Sequence, residues 1–261
     1  MPNLLIKFGT YTFPPGFRVE SIPGSRIMGA SPAPRNDGGR VLTGYMGPKR
    51  IEIAGDLIQG PIANAADWRG SFDSLIAAIA SGPADLYAGY DDRYFRRMQC
   101  ETHPRNFTRF GRIGGVDLSF LGPDPFEYVA GNLNARNQAI SGSGETWTVT
   151  NSSGNAPAAP KISVTVGGSG AQTIAFTITN ESTDESFTLA GAVTAGNVII
   201  IDPLAEGTPT DPKVTINSVD KMTLFDGVFP RLAIGANSWL AAYTSSTITA
   251  VRLEWRGRYW S

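Results

Sequence analysis

Apolar and polar residues alternate along most of the second half of the chain, which is the pattern of β-strands that bury one face. The segments 162–166 and 174–179 place an apolar residue at every second position, and a Gly-Gly-Ser-Gly turn separates them. Further strands are predicted near residues 186–189, 197–202, 214–224 and 247–255. About seven short strands without a helix predict an antiparallel β-sandwich.

The strongest turn signal in this half is Asp226-Gly227, which lies between two pairs of apolar residues. Asp-Gly in that setting favours a two-residue β-hairpin, because both residues can adopt a positive φ. Pro157 and Pro160 stiffen the chain ahead of the strand at 162–166. We therefore expect an ordered strand entry near residue 160 and a tight hairpin at 226–227.

The first half contains one clear helical pattern, from about Ala66 to Ser81. Large apolar residues recur there at helical spacing, Asp67 lies in the first turn, and Gly82-Pro83 follows as a stop signal. The apolar stripe of this helix should cover one face of a β-sheet.

Strand patterns surround this helix on both sides. Segments 4–8 and 17–22 predict an N-terminal hairpin that turns at Pro14-Pro15-Gly16, and segments 85–90 and 94–101 predict a second hairpin with a polar tip. Other strands are predicted within 40–58 and at 116–120. The stretch 23–39 is crowded with Pro, Gly, Asn and Asp, so we expect a long loop that another subunit would order.

The boundary between the two halves is expected within residues 132–145, where large apolar residues are few and Gly, Ser and Asn are common. At 261 residues the chain is long enough for two ordinary domains. We therefore predict a first domain at 1–138 and a second at 139–261.

Charge and cysteine content exclude several classes of function. The net charge of −1 gives no electrostatic reason to expect tight binding to nucleic acid or to a membrane surface, and we predict no sequence-specific nucleic-acid partner. Cys100 and His103 are the only residues of their types, so one chain cannot build a disulfide framework or a Cys/His zinc site. The longest aliphatic run, 198–201, is too short to cross a membrane, and we expect a soluble protein made in the cytoplasm.

Catalytic candidates are few. Two acidic pairs, Asp91-Asp92 and Asp124 with Glu127, could serve as the carboxylates of a glycosidase. Adjacent residues of a strand point to opposite faces, however, and Asp124-Pro125 is typical of a turn. No phosphate-binding loop is present in the sequence. We predict no catalytic, cofactor-binding or metal-binding residue and no enzymatic activity.

Binding candidates are clearer. The guanidinium groups of the arginines in and after the second hairpin suit pairing with carboxylates across a subunit contact, with a solvated sheet edge as the alternative. These candidate ring or partner contacts are Asp91, Asp92, Arg93, Arg96 and Arg97. Trp147 and Trp239 are candidate glycan contacts, with packing in the core as the alternative for each.

Several short motifs in a fixed order extend over nearly the whole chain: Phe13–Phe17, Ile51–Asp56, the helix with Phe72 and Leu75, Phe120–Phe126, Asn155–Ile162 and Asp226–Asn237. With this order the chain resembles the siphophage distal tail protein family. The resemblance implies a mainly β fold, with an N-terminal β-sandwich belt domain that carries one helix and a β-hairpin. It implies a galectin-like antiparallel β-sandwich as the C-terminal domain.

The resemblance also implies a function. Six copies would close into a ring at the distal end of a long non-contractile tail, as a virion component that joins the tail tube protein to the tail-tip hub protein. DNA would pass through the lumen, and receptor-binding proteins could be anchored on the ring. The alternative is a carbohydrate-binding module that recognises a glycan of the host surface.

Overall fold

The computed structural model describes residues 6–21, 26–27, 30–32, 39–41, 45–46, 49–56, 65–89, 92–101, 115–122, 124–203, 213–244 and 248–260. The described residues are mainly β-strand. The chain forms two compact units: Met1–Ala130 with Tyr259–Ser261, and Gly131–Arg258.

The first unit contains a helix, α1 (Ala65–Ala80), among its strands. The strands before α1 are β1 (Ile6–Phe8), β2 (Tyr11–Thr12), β3 (Arg18–Ser21), β4 (Arg26–Ile27), β5 (Ala30–Pro32), β6 (Gly39–Val41), β7 (Tyr45–Met46) and β8 (Lys49–Asp56). The strands after it are β9 (Ala84–Ala88), β10 (Arg93–Cys100), β11 (Gly115–Gly122) and β12 (Phe126–Val129).

The described residues of the second unit form strands and a short 3₁₀ turn, Met222–Leu224. Its strands are β13 (Asn134–Ala139), β14 (Glu145–Asn151), β15 (Lys161–Val166), β16 (Ala171–Asn180), β17 (Glu185–Thr194), β18 (Val198–Asp202), β19 (Lys213–Ile216), β20 (Val219–Asp220), β21 (Phe225–Gly227), β22 (Gly235–Tyr243) and β23 (Ile248–Trp255). A last strand, β24 (Arg258–Trp260), ends the chain.

The sheet of the first unit has the order β2-β1-β9-β10-β11-β8-β3, with β12 beside β10 and β24 outside β12. One face of these strands forms a core in which the rings of Phe8 and Phe120 lie 4.9 Å apart. Leu75 of α1 is buried in this core, and Phe72 and Ile79 pack against it. The predicted helix is therefore confirmed, and its apolar stripe covers the sheet as expected.

Strand β10 bends where its partners change. Along one edge, its first residues pair with β12 and its last with β11. Along the other edge it pairs with β9, and the register of that pairing shifts between Phe95 and Met98. Arg97, in that gap, has a φ of 50°, and its backbone N–H donates to Asp85 Oδ1 at 3.3 Å. This irregularity is a β-bulge, which lets one long strand serve two parts of the sheet.

Two sheets pack face to face in the second unit and share one core. The six-stranded sheet has the order β13-β23-β15-β18-β19-β20, and the five-stranded sheet has the order β14-β22-β16-β17-β21. All pairings within them are antiparallel. The antiparallel β-sandwich predicted from the alternating pattern is confirmed.

Two predicted hairpins were wrong in their pairing. Residues 226–227 lie in β21, which pairs with β17 instead of turning. Gly227 is required because a Cβ there would lie 2.6 Å from Ser186 O, and its φ is 115°. At the N-terminus β1 turns at Gly9, φ 57°, to pair with β2, while β3 pairs with β8.

The second hairpin prediction is confirmed, since β9 and β10 are antiparallel neighbours. The segment predicted as a long loop contains β4, β5 and the start of β6; β4 pairs with β7 and β5 with β6. The units divide between Ala130 and Gly131, earlier than the boundary expected after residue 138. The reason is that β13 pairs with β23 along its whole length, although its sequence is polar.

Candidate functional site

Strands β10 and β12 carry a cluster of charged residues in the first unit. Arg93 is opposite Val129 and Phe95 is opposite Glu127, so Arg93 and Glu127 are diagonal neighbours on one face. Arg93 Nη1 lies 3.8 Å from Glu127 Oε2. The guanidinium carbon of Arg93 also lies 3.7 Å from the centre of the Tyr259 ring. One arginine therefore contacts both β12 and the last strand of the chain.

Lys49, the first residue of β8, completes this cluster. Its side chain is buried, with 2% of the residue exposed, and its Nζ lies 5.9 Å from the centre of the Phe95 ring. Burial lowers the pKa of Lys49, and the charge of Glu127 opposes this. Burial raises the pKa of Glu127, while Arg93 and Lys49 counteract the shift. The two groups thus stabilise each other's charge in a site that penalises both.

The opposite face of the same strands carries a row of tyrosines. The rings of Tyr87 and Tyr94 lie 5.4 Å apart, and those of Tyr94 and Tyr128 lie 6.0 Å apart. Lys7 lies over Tyr87 at 5.8 Å, and Arg96 lies over Tyr128 at 5.1 Å. A cationic side chain therefore lies over the tyrosine ring at each end of the row, where the face of the ring attracts the positive charge.

The structure separates the five predicted ring or partner contacts. Arg93 and Arg96 make contacts inside their own unit, and Arg96 is only 9% exposed. Asp92 is exposed, and Arg97 is half-exposed at the bulge. Asp91 lies outside the described residues. Lys49 and Tyr259 were missed, because they are distant in sequence and each looks ordinary in its own segment; Glu127 was considered only as a carboxylate for glycoside hydrolysis.

The acidic pair considered for glycoside hydrolysis supports local structure. Asp124 accepts hydrogen bonds from the Phe126 backbone N–H, at 3.1 Å, and from the Tyr128 hydroxyl. Glu127 belongs to the cluster with Arg93. Both carboxylates thus fix the start of β12 and its contact with β10.

In the second unit, two buried asparagines hold the segment 228–234. Asn180 Nδ2 donates to Arg231 O at 2.5 Å and to Asn237 Oδ1 at 3.2 Å. Asn237 Oδ1 accepts the Ala233 N–H at 2.8 Å, and its Nδ2 donates to Ala233 O and Gly235 O, both at 2.9 Å. These amides satisfy backbone groups of a segment that has no regular strand partner.

The two motifs at 155–162 and 226–237 meet in space. Ala158 and Leu232 exchange backbone hydrogen bonds, with N···O distances of 2.9 and 2.8 Å, and both residues are fully buried. Asn151 Nδ2 also reaches Leu232 O at 3.5 Å. The strand entry and the irregular segment therefore form one structural feature.

An ion pair fastens the same segment from outside. Glu185 accepts the Arg231 backbone N–H at 2.7 Å and the Arg231 Nε–H at 2.8 Å. Burial would raise the pKa of Glu185, but these hydrogen bonds and the guanidinium charge lower it below its usual value. The charged form of Glu185 is thus the one that holds the segment.

The predicted glycan contacts lie in the core of the second unit. Trp239 is 0% exposed and Trp147 is 6% exposed, and their rings stack with centres 6.4 Å apart. A sugar platform requires an exposed ring face, so these residues do not form one; the alternative, packing in the core, is what the structure has.

Metal-binding clusters and membrane-spanning helices were both sought among the residues that the structure describes. Among them, no group of three or more His, Cys, Asp or Glu side chains is arranged to hold a metal ion. None of the described helices has the length and apolar character needed to span a bilayer.

Comparison with known proteins gives a family for the second half. Residues 153–259 match the family described as siphovirus-type tail component, C-terminal domain. No curated protein matches the chain in sequence. Among solved structures, the chain is similar to the Dit protein of SPP1, described as a paradigm of the hub adsorption apparatus in phages that infect Gram-positive bacteria. That similarity has a TM-score of 0.62 at 15% identity and covers 97% of this chain and 98% of the other.

Two structures of the phage P2 baseplate in its activated conformation are less similar. The one with Ca has a TM-score of 0.45 at 8% identity, covering 97% of this chain and 90% of the other. The one with Sr has a TM-score of 0.42 at 8% identity, covering 96% and 97%. TM-scores this low do not establish a shared fold.

The family match covers both interlocked motifs of the second unit, and the similarity to SPP1 Dit shows that the whole chain adopts that fold. The predicted resemblance is confirmed, and so is a place in the phage virion. Residues 153–259 belong to the family described as siphovirus-type tail component, C-terminal domain, and the chain as a whole has the fold of SPP1 Dit.

Proposed function

We propose that six copies of this chain form a ring at the distal end of a long non-contractile tail. The observation that carries the proposal is the match of residues 153–259 to a siphovirus-type tail component, within a chain that has the fold of SPP1 Dit along 97% of its length. SPP1 Dit is described as part of a hub adsorption apparatus, and a hub is the kind of assembly that a ring would build.

Open sheet edges in the first unit support self-assembly. Among the residues that the structure describes, its sheet ends at β2 and β3, and β24 is outermost on the branch beside β12. Exposed edges are sites where another chain can add, and a closed ring of heterologous contacts covers such edges. Asp92 is exposed close to the start of β10, which makes it a candidate for a contact between neighbouring copies.

In this role the protein is structural and not an enzyme. The ring joins the tail tube protein to the tail-tip hub protein, the lumen lets DNA pass, and receptor-binding proteins attach to the ring. The second unit suits such a scaffold because buried amides and an ion pair anchor its segment 228–234.

Native mass measurement together with electron microscopy of the purified chain tests the proposal. We expect a species of six copies that appears as a ring with an open centre. A strictly monomeric protein at all concentrations and salt conditions would contradict it.

A matched pair of charge reversals sharpens the test. If Asp92 contacts a positively charged group of the neighbouring copy, Asp92→Arg should raise the concentration at which the ring assembles by at least about tenfold. Asp220→Arg, an exposed aspartate of the second unit, should leave assembly unchanged. Equal effects of both variants would show that Asp92 is not part of the contact between copies. Whether the ring forms is decided by the wild-type measurement.

A further inference from the structure

A long sheet edge of the second unit lacks the usual protection. Among the residues that the structure describes, β14 pairs with β22 on one side only and ends the five-stranded sheet. It is seven residues long, its register with β22 is unbroken, and it contains no proline or glycine. Natural proteins shorten, bend or charge such edges, because a long and regular one is a template for another strand.

The other described edges of this unit are protected. On β13, Arg136 is opposite the buried Leu253, so a charged side chain points toward the core side of that edge. Strand β20 has only two residues, and β21 has three, of which Gly227 has a φ of 115°. The contrast identifies β14 as the edge to which a further strand can add.

The backbone groups that β14 leaves free belong to alternate residues. The Glu181 N–H, directly after β16, donates to Ser238 O at 2.8 Å, so the backbone of Ser238 faces β16 and its two neighbours in β22 face β14. Those neighbours are opposite Trp147 and Val149, which therefore bond to β22. The N–H and C=O groups of the residues beside them point at the open edge. These residues are Thr146, Thr148 and Thr150, and their side chains are exposed.

From this geometry we infer that β14 pairs antiparallel with β14 of a second copy of this chain, about a two-fold axis at Thr148. In this register Thr148 is opposite its own counterpart, and Thr146 is opposite Thr150. Every N–H and C=O group that the three threonines direct at the edge then finds a partner on the other copy. The contact is isologous, and it joins the two five-stranded sheets into one continuous sheet.

The side chains of β14 favour a second copy as the occupant of this edge. In the two-fold register threonine is opposite threonine on the outer face, and Trp147 is opposite Val149 on the core face; both are favourable cross-strand pairs. The charged Glu145 is opposite the neutral Asn151, so no like charges meet. A strand that pairs with itself needs this internal match along its length, whereas an edge covered by a different protein does not.

The pairing is expected to be weak, and it is independent of the proposed ring. One short strand from each copy covers much less than the roughly 800 Å² per partner of a standard interface, so we expect a dissociation constant in the micromolar range or weaker. A two-fold axis relates only two copies. The contact therefore joins two rings if the ring forms, and two monomers if it does not. Analytical ultracentrifugation over a concentration series reports the doubling of mass in either case.

A matched pair of proline substitutions tests the contact. Thr148→Pro removes the N–H at the centre of the pairing and should raise the concentration needed for doubling at least about tenfold. Asn137→Pro makes the same change on β13 and should leave doubling unchanged; the Ile140 N–H bonds to Thr249 O of β23, so by alternation the backbone of Asn137 faces the open edge. Proline is tolerated on an edge strand where its nitrogen faces solvent, so both variants should fold, which circular dichroism checks.

Hydrogen exchange of the wild-type chain gives a second measurement that needs no substitution. The amides of Thr146, Thr148 and Thr150 should exchange several-fold more slowly above the doubling concentration than below it, and the amides of β13 should not change.

Three outcomes overturn the inference. The first is a wild-type chain whose mass never doubles at concentrations up to about 1 mM. The second is doubling that Thr148→Pro leaves intact, or that Asn137→Pro weakens to the same extent, since either places the contact elsewhere on the molecule. The third is an exchange rate of the β14 amides that does not depend on concentration, which would mean that no second copy covers this edge.

Discussion

The two units bury polar groups in opposite ways. The first unit buries charges: Lys49 and Glu127 share a site with Arg93, beside aromatic rings. The second unit buries neutral amides, Asn180 and Asn237, which bond to the backbone of segment 228–234. A neutral amide holds its partners at any ordinary pH, whereas a buried charge depends on its partner and on pH. We conclude that buried neutral amides are the main anchor of segment 228–234 in the second unit, whereas charge balance holds the cluster of Lys49, Arg93 and Glu127 in the first.

Removing an amide from the second unit should have the largest effect. Asn237→Ala leaves the Ala233 N–H and the Asn180 amide without this partner, and should lower the free energy of unfolding by about 3 kcal/mol. Ser238→Ala, the next residue on the exposed face, should cost less than about 0.5 kcal/mol. Urea unfolding measures both. Similar losses for the two variants would show that the buried amides do not anchor the segment.

Breaking the charge balance of the first unit should be nearly as costly. Glu127→Met removes the carboxylate that faces Lys49 and Arg93, and should destabilise by roughly 2 kcal/mol, because buried positive charge loses its compensation. Lys49→Met replaces the buried charge with an apolar side chain of similar length and should change stability by less than about 1 kcal/mol. A larger loss for Lys49→Met than for Glu127→Met would contradict this account of the cluster.

The contact between Arg93 and the last strand should contribute less. Tyr259→Leu keeps apolar volume but removes the ring beneath the guanidinium, and should cost about 1 kcal/mol. Tyr259→Phe keeps the ring and should restore most of that loss. If the phenylalanine variant is as unstable as the leucine variant, the ring face is not the important feature of Tyr259.

Acid should affect the two units with opposite sign. The pKa of Glu185 is lowered in the folded state, so its contribution is present above the usual glutamate pKa, about 4.3, and is lost as pH falls through the lower folded value. The pKa of Glu127 is raised, so its ionisation costs stability as pH rises through that value, and acid removes the cost. Acidification should therefore weaken the second unit relative to the first, by less than about 1 kcal/mol.

Scanning calorimetry between pH 7 and pH 3 measures this shift. Glu185→Gln should remove the acid dependence of the second unit, and Glu127→Gln should remove the opposing dependence of the first. If both units of the wild type lose stability to the same extent on acidification, and neither variant changes this, the two carboxylates do not cause a difference in pH dependence between the units.

Segments with a clear hydrophobic period were predicted more accurately from the sequence than segments without one. Helix α1 and strands β15 and β16 were predicted closely, because their apolar residues repeat at a helical or a two-residue period. Strand β22 was missed because its outward residues include Leu240 and Ala242, which hide the alternation. Strand β13 was read as a linker, since an exposed edge strand needs few apolar residues.

The candidate sites were harder to foresee than the fold. Asp92 and the three arginines were chosen by charge, and charge does not reveal that Arg93 would stack on Tyr259 from the far end of the chain. The same limit applies to Trp147 and Trp239, since a tryptophan in a strand suits a sugar platform or a core equally until the facing sheet is known.

By itself the sequence determined the classes of element, the absence of a cysteine framework and the order of motifs that led to the tail protein family, because these depend on local periodicity and composition. Tertiary structure alone decided which partners those elements meet. It brought Ala158 to Leu232 and turned the Asp-Gly pair into an edge strand. Pairing across long stretches of chain is set by the packing of whole sheets, and no short segment encodes it.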